Sequence, residues 1–212
     1  MQWSYVELKQ LCEKHGIPYP NEYLTSLEWR QRRAGYHAEM AEAEWSDFMS
    51  KPFAVGDEAY QKAFFVYEAH AEACVQALHA MADILAQIIN ATLMATPLSE
   101  DDVSFPGVPV RLKKQGNATR IITACNSLMQ SKEYRYVNAF SNTIKHRRLV
   151  RSDIGGEHGN GTRNKTEPIF AEFNYKGASY PETWGSDILA SYRQEIVRLV
   201  NEVGLSVNDS LK

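Results

Sequence analysis

The stretch that decides the fold is "DEAYQKAFFVYEAHAEACVQALHAMADILAQIINATLMA", Asp57 to Ala95. Phe64, Tyr67, Ala71, Cys74, Leu78, Met81, Leu85, Ile88 and Thr92 recur at alternating three- and four-residue steps, the spacing of one helix face. Phe65, Val75, Ala82, Ile89 and Leu93 widen that face, which predicts a helix of a globular bundle rather than a lone coiled coil. At the helical rise per residue it would be about 55–60 Å long, so a kink in it, or a dimer built along it, is expected. Beside the seam runs a polar stripe of Glu68, Glu72, His79, Asp83, Gln87 and Asn90. It is either solvated or lines a shared groove.

Outward from this helix the same rhythm recurs. A short amphipathic helix is expected at Tyr5–His15, closed by "GIPYP". Asn21 can cap a second long helix to about Met49, with Leu24, Leu27, Gln31, Ala34, Ala38, Ala41, Trp45 and Phe48 inward. "ATPLSEDDVSFPGVPV", with three prolines and an acidic run, reads as a loop. Asn117 then caps a helix, the chain bends near Ser131, and a further helix follows with Tyr134, Val137, Phe140 (or Ser141), Ile144 and Arg148 on one face. After Val150 the period changes to two. "RLVRSDI" and "TEPIFAEFNYK" read as strands flanking a glycine-rich loop that includes residues 155–161. Ser186 is expected to cap a last helix that Gly204 stops. The fold class is therefore mainly α: one domain over residues 1–212, an antiparallel bundle of four to six helices, with a small β-hairpin at about 148–178 before the last helix.

At 212 residues, 44% hydrophobic and 23% charged, the chain can bury a sizeable core and is not disordered. Its most apolar helical run still carries His79, Asp83, Gln87 and Asn90, so no membrane span is expected, and the N-terminal residues lack signal-peptide character. Three cysteines without CxxC spacing read as reduced, buried thiols of a cytoplasmic protein. The net charge of −3 conceals an asymmetry: Arg111 to Arg151 holds ten Lys/Arg against one acid, giving +9, inside an otherwise acidic chain. Such a stretch pairs with acidic helices of its own bundle or of a second subunit, or it is a patch for phosphate or nucleic acid.

The centre of that stretch is "AFSNTIKHRRLV", Ala139 to Val150. RNA cleavage needs an acid or base near neutral pH and fixed cations on the developing phosphorane charge. His146 offers the first, and Lys145, Arg147, Arg148 and Arg151 offer the second. Asn142, one helical turn before His146, can hydrogen-bond the ring and fix its tautomer. Cations in the last turn of a helix also complement its macrodipole whatever the function, and this plainer role of the run stays open.

A helical bundle with this pattern resembles the HEPN superfamily, whose motif is an arginine, a polar residue directly after it, then three or so residues and a histidine. Here "SNTIKH" supplies Asn142 and His146, while Ser141 occupies the arginine position. The resemblance covers residues from Asn117 to Val150 and the long helix before them. It implies a small, usually dimeric helical protein of bacterial toxin and anti-phage defence systems, whose active members are metal-independent endoribonucleases needing no cofactor. On that basis His146 and Asn142 are the catalytic candidates. Lys145, Arg147, Arg148, Arg151 and Arg135, nearly two turns before Asn142, are the phosphate-binding ones, with RNA or a nucleotide as ligand. The alternative from another class is a non-enzymatic, homodimeric interaction or scaffold protein whose charge asymmetry selects the partner.

Other chemistries are weaker. Glu68, His70 and Glu72 suggest a metal site, but His70 points about 200° from Glu68 on a helix. Glu68 and Glu72 share a face and, with His79, are the remaining ligand set, but the chain has no ExxH pair of the kind a di-iron carboxylate bundle uses. "GGEHGNG" lacks a P-loop context, and no nucleophile turn is recognisable.

Overall fold

A computed structural model describes every residue except Met1, Phe53, Val55, Asn117, Ala118 and 159–163, together with the side chains of 156–158, 164 and 165. The chain is mainly helical. Its α-helices are α1 (Tyr5–His15), α2 (Asn21–Met49), α3 (Glu58–Leu93), α4 (Gly107–Lys114), α5 (Thr119–Gln130), α6 (Lys132–His146) and α7 (Arg193–Ser210). Between α6 and α7 lie strands β1 (Ser152–His158), β2 (Asn164–Phe170), β3 (Phe173–Tyr175), β4 (Ala178–Tyr180) and β5 (Thr183–Trp184). The expected cap at Asn117 falls outside the described residues.

Two compact units share these elements: Met1–Arg32, Leu78–Arg135 and Glu195–Lys212 form one, Arg33–Ala77 and Tyr136–Gln194 the other. In the first, Leu8, Leu11 and Cys12 of α1 are buried, and Ser4 caps that helix by accepting from the Glu7 N–H at 3.2 Å. The Trp3 indole donates to Asn208 Oδ1 at 3.0 Å, and Asn208 in turn donates to Ser4 O and Glu7 Oε2. Gly204 lies inside α7 rather than ending it, correcting the expected stop. A Cβ there would run into the Trp3 indole, so the residue is a seat for an aromatic ring and not a helix terminator. The chain between α3 and α4 is tied to α3 by Asn90, which bonds both the N–H and the C=O of Leu98, and by Gln87, which donates to Glu100 O at 2.9 Å. The polar stripe of α3 here holds its own connection.

α4 corrects the reading of residues 95–110 as loop throughout. Its prolines and glycine all fall at or before its first turn, where a missing N–H costs nothing, and Val108 and Leu112 are buried. A single 3₁₀ turn, Glu100–Asp102, precedes it.

In the second unit α2 and α3 run antiparallel: His37 meets His70, Trp45 packs on Tyr67 with ring centroids 5.9 Å apart, and Phe48 meets Tyr60. The seam of α2 is buried as expected except at Gln31, and on α3 Phe65 is 69% exposed, the reverse of its expected place in the core. The sequence around it, "FFVY", offers two neighbouring aromatics, and only Phe64 lies toward the seam.

The β region is a hairpin with additions. β1 and β2 pair antiparallel with Ser152 opposite Phe170, and β5 adds to β2 with Ile169 opposite Trp184. The second expected strand is broken: Phe173–Tyr175 leaves β2 and forms its own hairpin with β4, Phe173 opposite Tyr180. Glu167, Pro168, Ile169 and Phe170 are all buried, so β2 is covered on both faces and the alternation that marks a one-sided strand stops there. An aromatic cluster carries this unit, with Phe140 5.1 Å from Phe170, Tyr136 5.4 Å from Phe173, and Phe173 stacked on Tyr180 at 5.2 Å. Edge and stacked aromatic pairs each add about 0.5–1.5 kcal/mol beyond their buried area.

Ser186 does not cap the last helix. Its hydroxyl donates to Glu167 Oε1 at 2.7 Å, and the helix opens with a π-type segment, Asp187–Tyr192, before α7.

Candidate functional site

α6 starts on Ser131, whose Oγ accepts from the Tyr134 N–H at 3.1 Å, as the sequence predicts. Val137, Phe140 and Ser141 are buried on its inner side. The helix closes where Thr143 O accepts from both the Arg147 and Arg148 N–H groups, at 3.0 and 3.1 Å. Beyond it the chain is held by Val150, which is buried, and by the Arg151 carbonyl, which accepts from the Ala171 N–H at 2.8 Å. Between those anchors Lys145, His146, Arg147, Arg148 and Leu149 are all exposed, as is Arg151 just past them. The cationic run is thus a solvent-facing link from α6 to β1.

Among the described residues, Lys145, Arg147, Arg148 and Arg151 form no ion pair with a carboxylate. His146 is exposed, and no described side-chain hydrogen bond reaches its ring. Asn142 is half-buried, and its amide donates to Asn138 O at 2.8 Å and Asn138 Oδ1 at 3.0 Å. None of the described bonds joins Asn142 to His146. Helical spacing keeps Arg135, Asn142 and His146 on one side of α6, and Arg135 is exposed.

Ser141 is decisive for the motif. It is fully buried, and its hydroxyl has no hydrogen-bond partner among the described residues. The position that holds arginine in the HEPN pattern here faces the protein interior, so an arginine would bury its guanidinium rather than present it to phosphate.

Two residues outside the run belong with it. The Arg147 guanidinium lies 4.8 Å from the centroid of the Tyr175 ring, and the Lys176 ammonium lies 5.4 Å from the same centroid. The sequence gives both residues only strand positions in "TEPIFAEFNYK", whereas the structure ends β3 at Tyr175 and puts Lys176 in the turn to β4. A two-residue turn, Lys176–Gly177, was the available signal.

Elsewhere in this unit the titratable groups are arranged for packing. Glu68, raised by burial and by nearby Glu72, accepts a hydrogen bond from the Ser152 hydroxyl. His70 Nδ1 is 2.9 Å from His37 Nδ1, so the ring that suggested a metal ligand is engaged by another histidine. Among the described residues no group of three or more His, Cys, Asp or Glu side chains is placed to hold a metal ion. No described helix is long and apolar enough to cross a membrane. The three cysteines are buried and unpaired.

No protein family, no curated protein and no solved structure matches the chain.

Proposed function

We propose that this protein engages RNA or a nucleotide through the exposed basic run Lys145–Arg151, as a HEPN-like helical protein with a degenerate motif. One observation carries the reading: four exposed cations within seven residues that no described carboxylate neutralises. Unpaired surface cations at this density attract polyanions and release counterions when they bind. Arg135 extends the same side of α6. Binding is favoured over cleavage, since the motif arginine is replaced by buried Ser141 and the described bonds of Asn142 run to Asn138. If the protein cuts RNA, His146 is the general acid or base.

The test is RNA affinity as a function of salt, for wild type and for a Lys145→Gln/Arg148→Gln variant. For single strands log K falls with log salt by about 0.7 per phosphate contacted, so engagement of the four cations gives a slope near about −3. An affinity that ignores salt removes the proposal. Incubation of a mixed RNA pool in EDTA with wild type and His146→Ala decides between binding and metal-independent cleavage.

The rival reading, a non-enzymatic homodimer, has its own observation. Tyr36 and Met40, one helical turn apart on α2, are 55% and 37% exposed. A dimer that forms regardless of nucleic acid and binds none would favour it.

A further inference from the structure

Lys176 is the one non-glycine residue with positive φ among the described residues, at 50°, and Gly177 follows it at 79°. Together they make the two-residue turn between β3 and β4. Turns of this kind favour Asn, Asp or Gly at both central positions, because other side chains crowd the backbone there. A lysine is disfavoured, yet it occupies the first of them, and strained backbone of this sort is often tied to a site.

The placement of its ammonium suggests which. Lys176 and Arg147 lie over the same Tyr175 ring, no more than about 10 Å from each other. Each is exposed, and among the described residues neither has a carboxylate partner. Glu172, the acid on the same hairpin, instead accepts a hydrogen bond from Ser179 Oγ at 2.6 Å. A tyrosine ring attracts both cations weakly but does not neutralise them. Two like charges beside one ring repel, and phosphate groups placed against each of them offset the repulsion.

We infer that Arg147 and Lys176, seated on Tyr175, form a subsite for the phosphate groups of a nucleic-acid strand. Arg147 supplies the paired N–H donors of a guanidinium, and Lys176 a point charge from outside the α6 run. This rests on the RNA reading above and extends it to the β3–β4 hairpin.

Two variants test it, Lys176→Asn and Arg147→Gln, with Lys132→Gln as a surface-charge control. Asparagine suits positive φ, so Lys176→Asn should melt no lower than wild type, and a loss of binding cannot be blamed on unfolding. Binding of a short labelled single-stranded RNA is measured across a salt series. Each variant is expected to weaken it several-fold and to make the salt slope shallower by about 0.7, while Lys132→Gln does neither. Amide NMR shifts of Tyr175 and Lys176 on titration with pyrophosphate give a second readout. If Arg147→Gln weakens RNA binding but Lys176→Asn leaves it unchanged, the subsite is wrong and the reading of the basic run survives; if neither variant changes it, the subsite is wrong and Arg147 drops out of the basic run as well. If wild type binds no RNA but pyrophosphate shifts these amides and Lys176→Asn abolishes the shifts, the RNA reading falls and the subsite stands for a free phosphorylated compound. No binding and no shifts overturn both.

Discussion

His37 and His70 face one another through their Nδ1 atoms at 2.9 Å, one from α2 and one from α3, with Tyr36 packed edge-on against both rings. At that distance one Nδ1 carries the proton and the other must accept it. Double protonation would set two N–H groups against each other.

Burial, then His70, then Arg33 hold His37 below the usual histidine range. A histidine with a lowered folded pKa resists protonation that the unfolded chain accepts, so stability is lost as pH falls below about 6.5. The expected outcome is a thermal midpoint that drops more between pH 7 and pH 5 for wild type than for His37→Gln. Comparing the two removes the opposing contributions of Glu68 and Glu72, which burial raises. Parallel curves would show that the pair does not couple pH to stability.

Gly204→Ala should destabilise the first unit, because the added methyl meets the Trp3 indole. Overpacking of this kind costs about 1–3 kcal/mol, offset by up to about 1 kcal/mol of helix propensity. Urea midpoints measure the difference, and a more stable variant would mean the indole moves aside freely.

At Ser141 two substitutions should diverge. Ser141→Ala removes a buried hydroxyl that lacks a partner, and is expected to be neutral or stabilising by up to about 1 kcal/mol. Ser141→Arg would write the arginine of the HEPN pattern into this position on paper but forces a charge into the core, and should cost more than about 3 kcal/mol. Circular dichroism melts of both, read beside an RNase assay, would expose the opposite result.

Burial pushes the Cys74 and Cys125 thiols up to about 12. Native protein at pH 8 should therefore react slowly with a thiol reagent such as DTNB, and denatured protein should release the full three equivalents. Fast stoichiometric labelling of the folded protein would contradict the burial of these residues.

What the sequence revealed of this fold were the parts that local rules determine. The bounds of α1, the Ser131 cap, the seam of α3 and the β1–β2 hairpin each follow from spacing and capping within a few residues. α4 was hidden because Pro109 and Gly107 read as breakers until their place in the first turn is known. Gly204 was misread because only Trp3, distant in sequence, explains it. The candidate site was half legible: the cations and His146 stand together in "KHRRLVR", and helix spacing allowed Ser141 an inward place beside Phe140, but the approach of Tyr175 and Lys176 depends on how β3 folds back. His37 and His70 lie 33 residues apart, and nothing local announces that their rings meet.

The clasp of Trp3 on Asn208 joins residues 205 positions apart. During synthesis at about 5–20 residues per second, the indole would wait on the order of 10–40 s for its partner to be made. Until then the Trp3 backbone N–H has no Asn201 Oδ1 and its indole N–H no Asn208 Oδ1 to donate to, so the first unit can close only late in translation. A ribosome that stalls before residue 195 leaves that unit without its third segment, and its exposed apolar surface then becomes a ligand for chaperones.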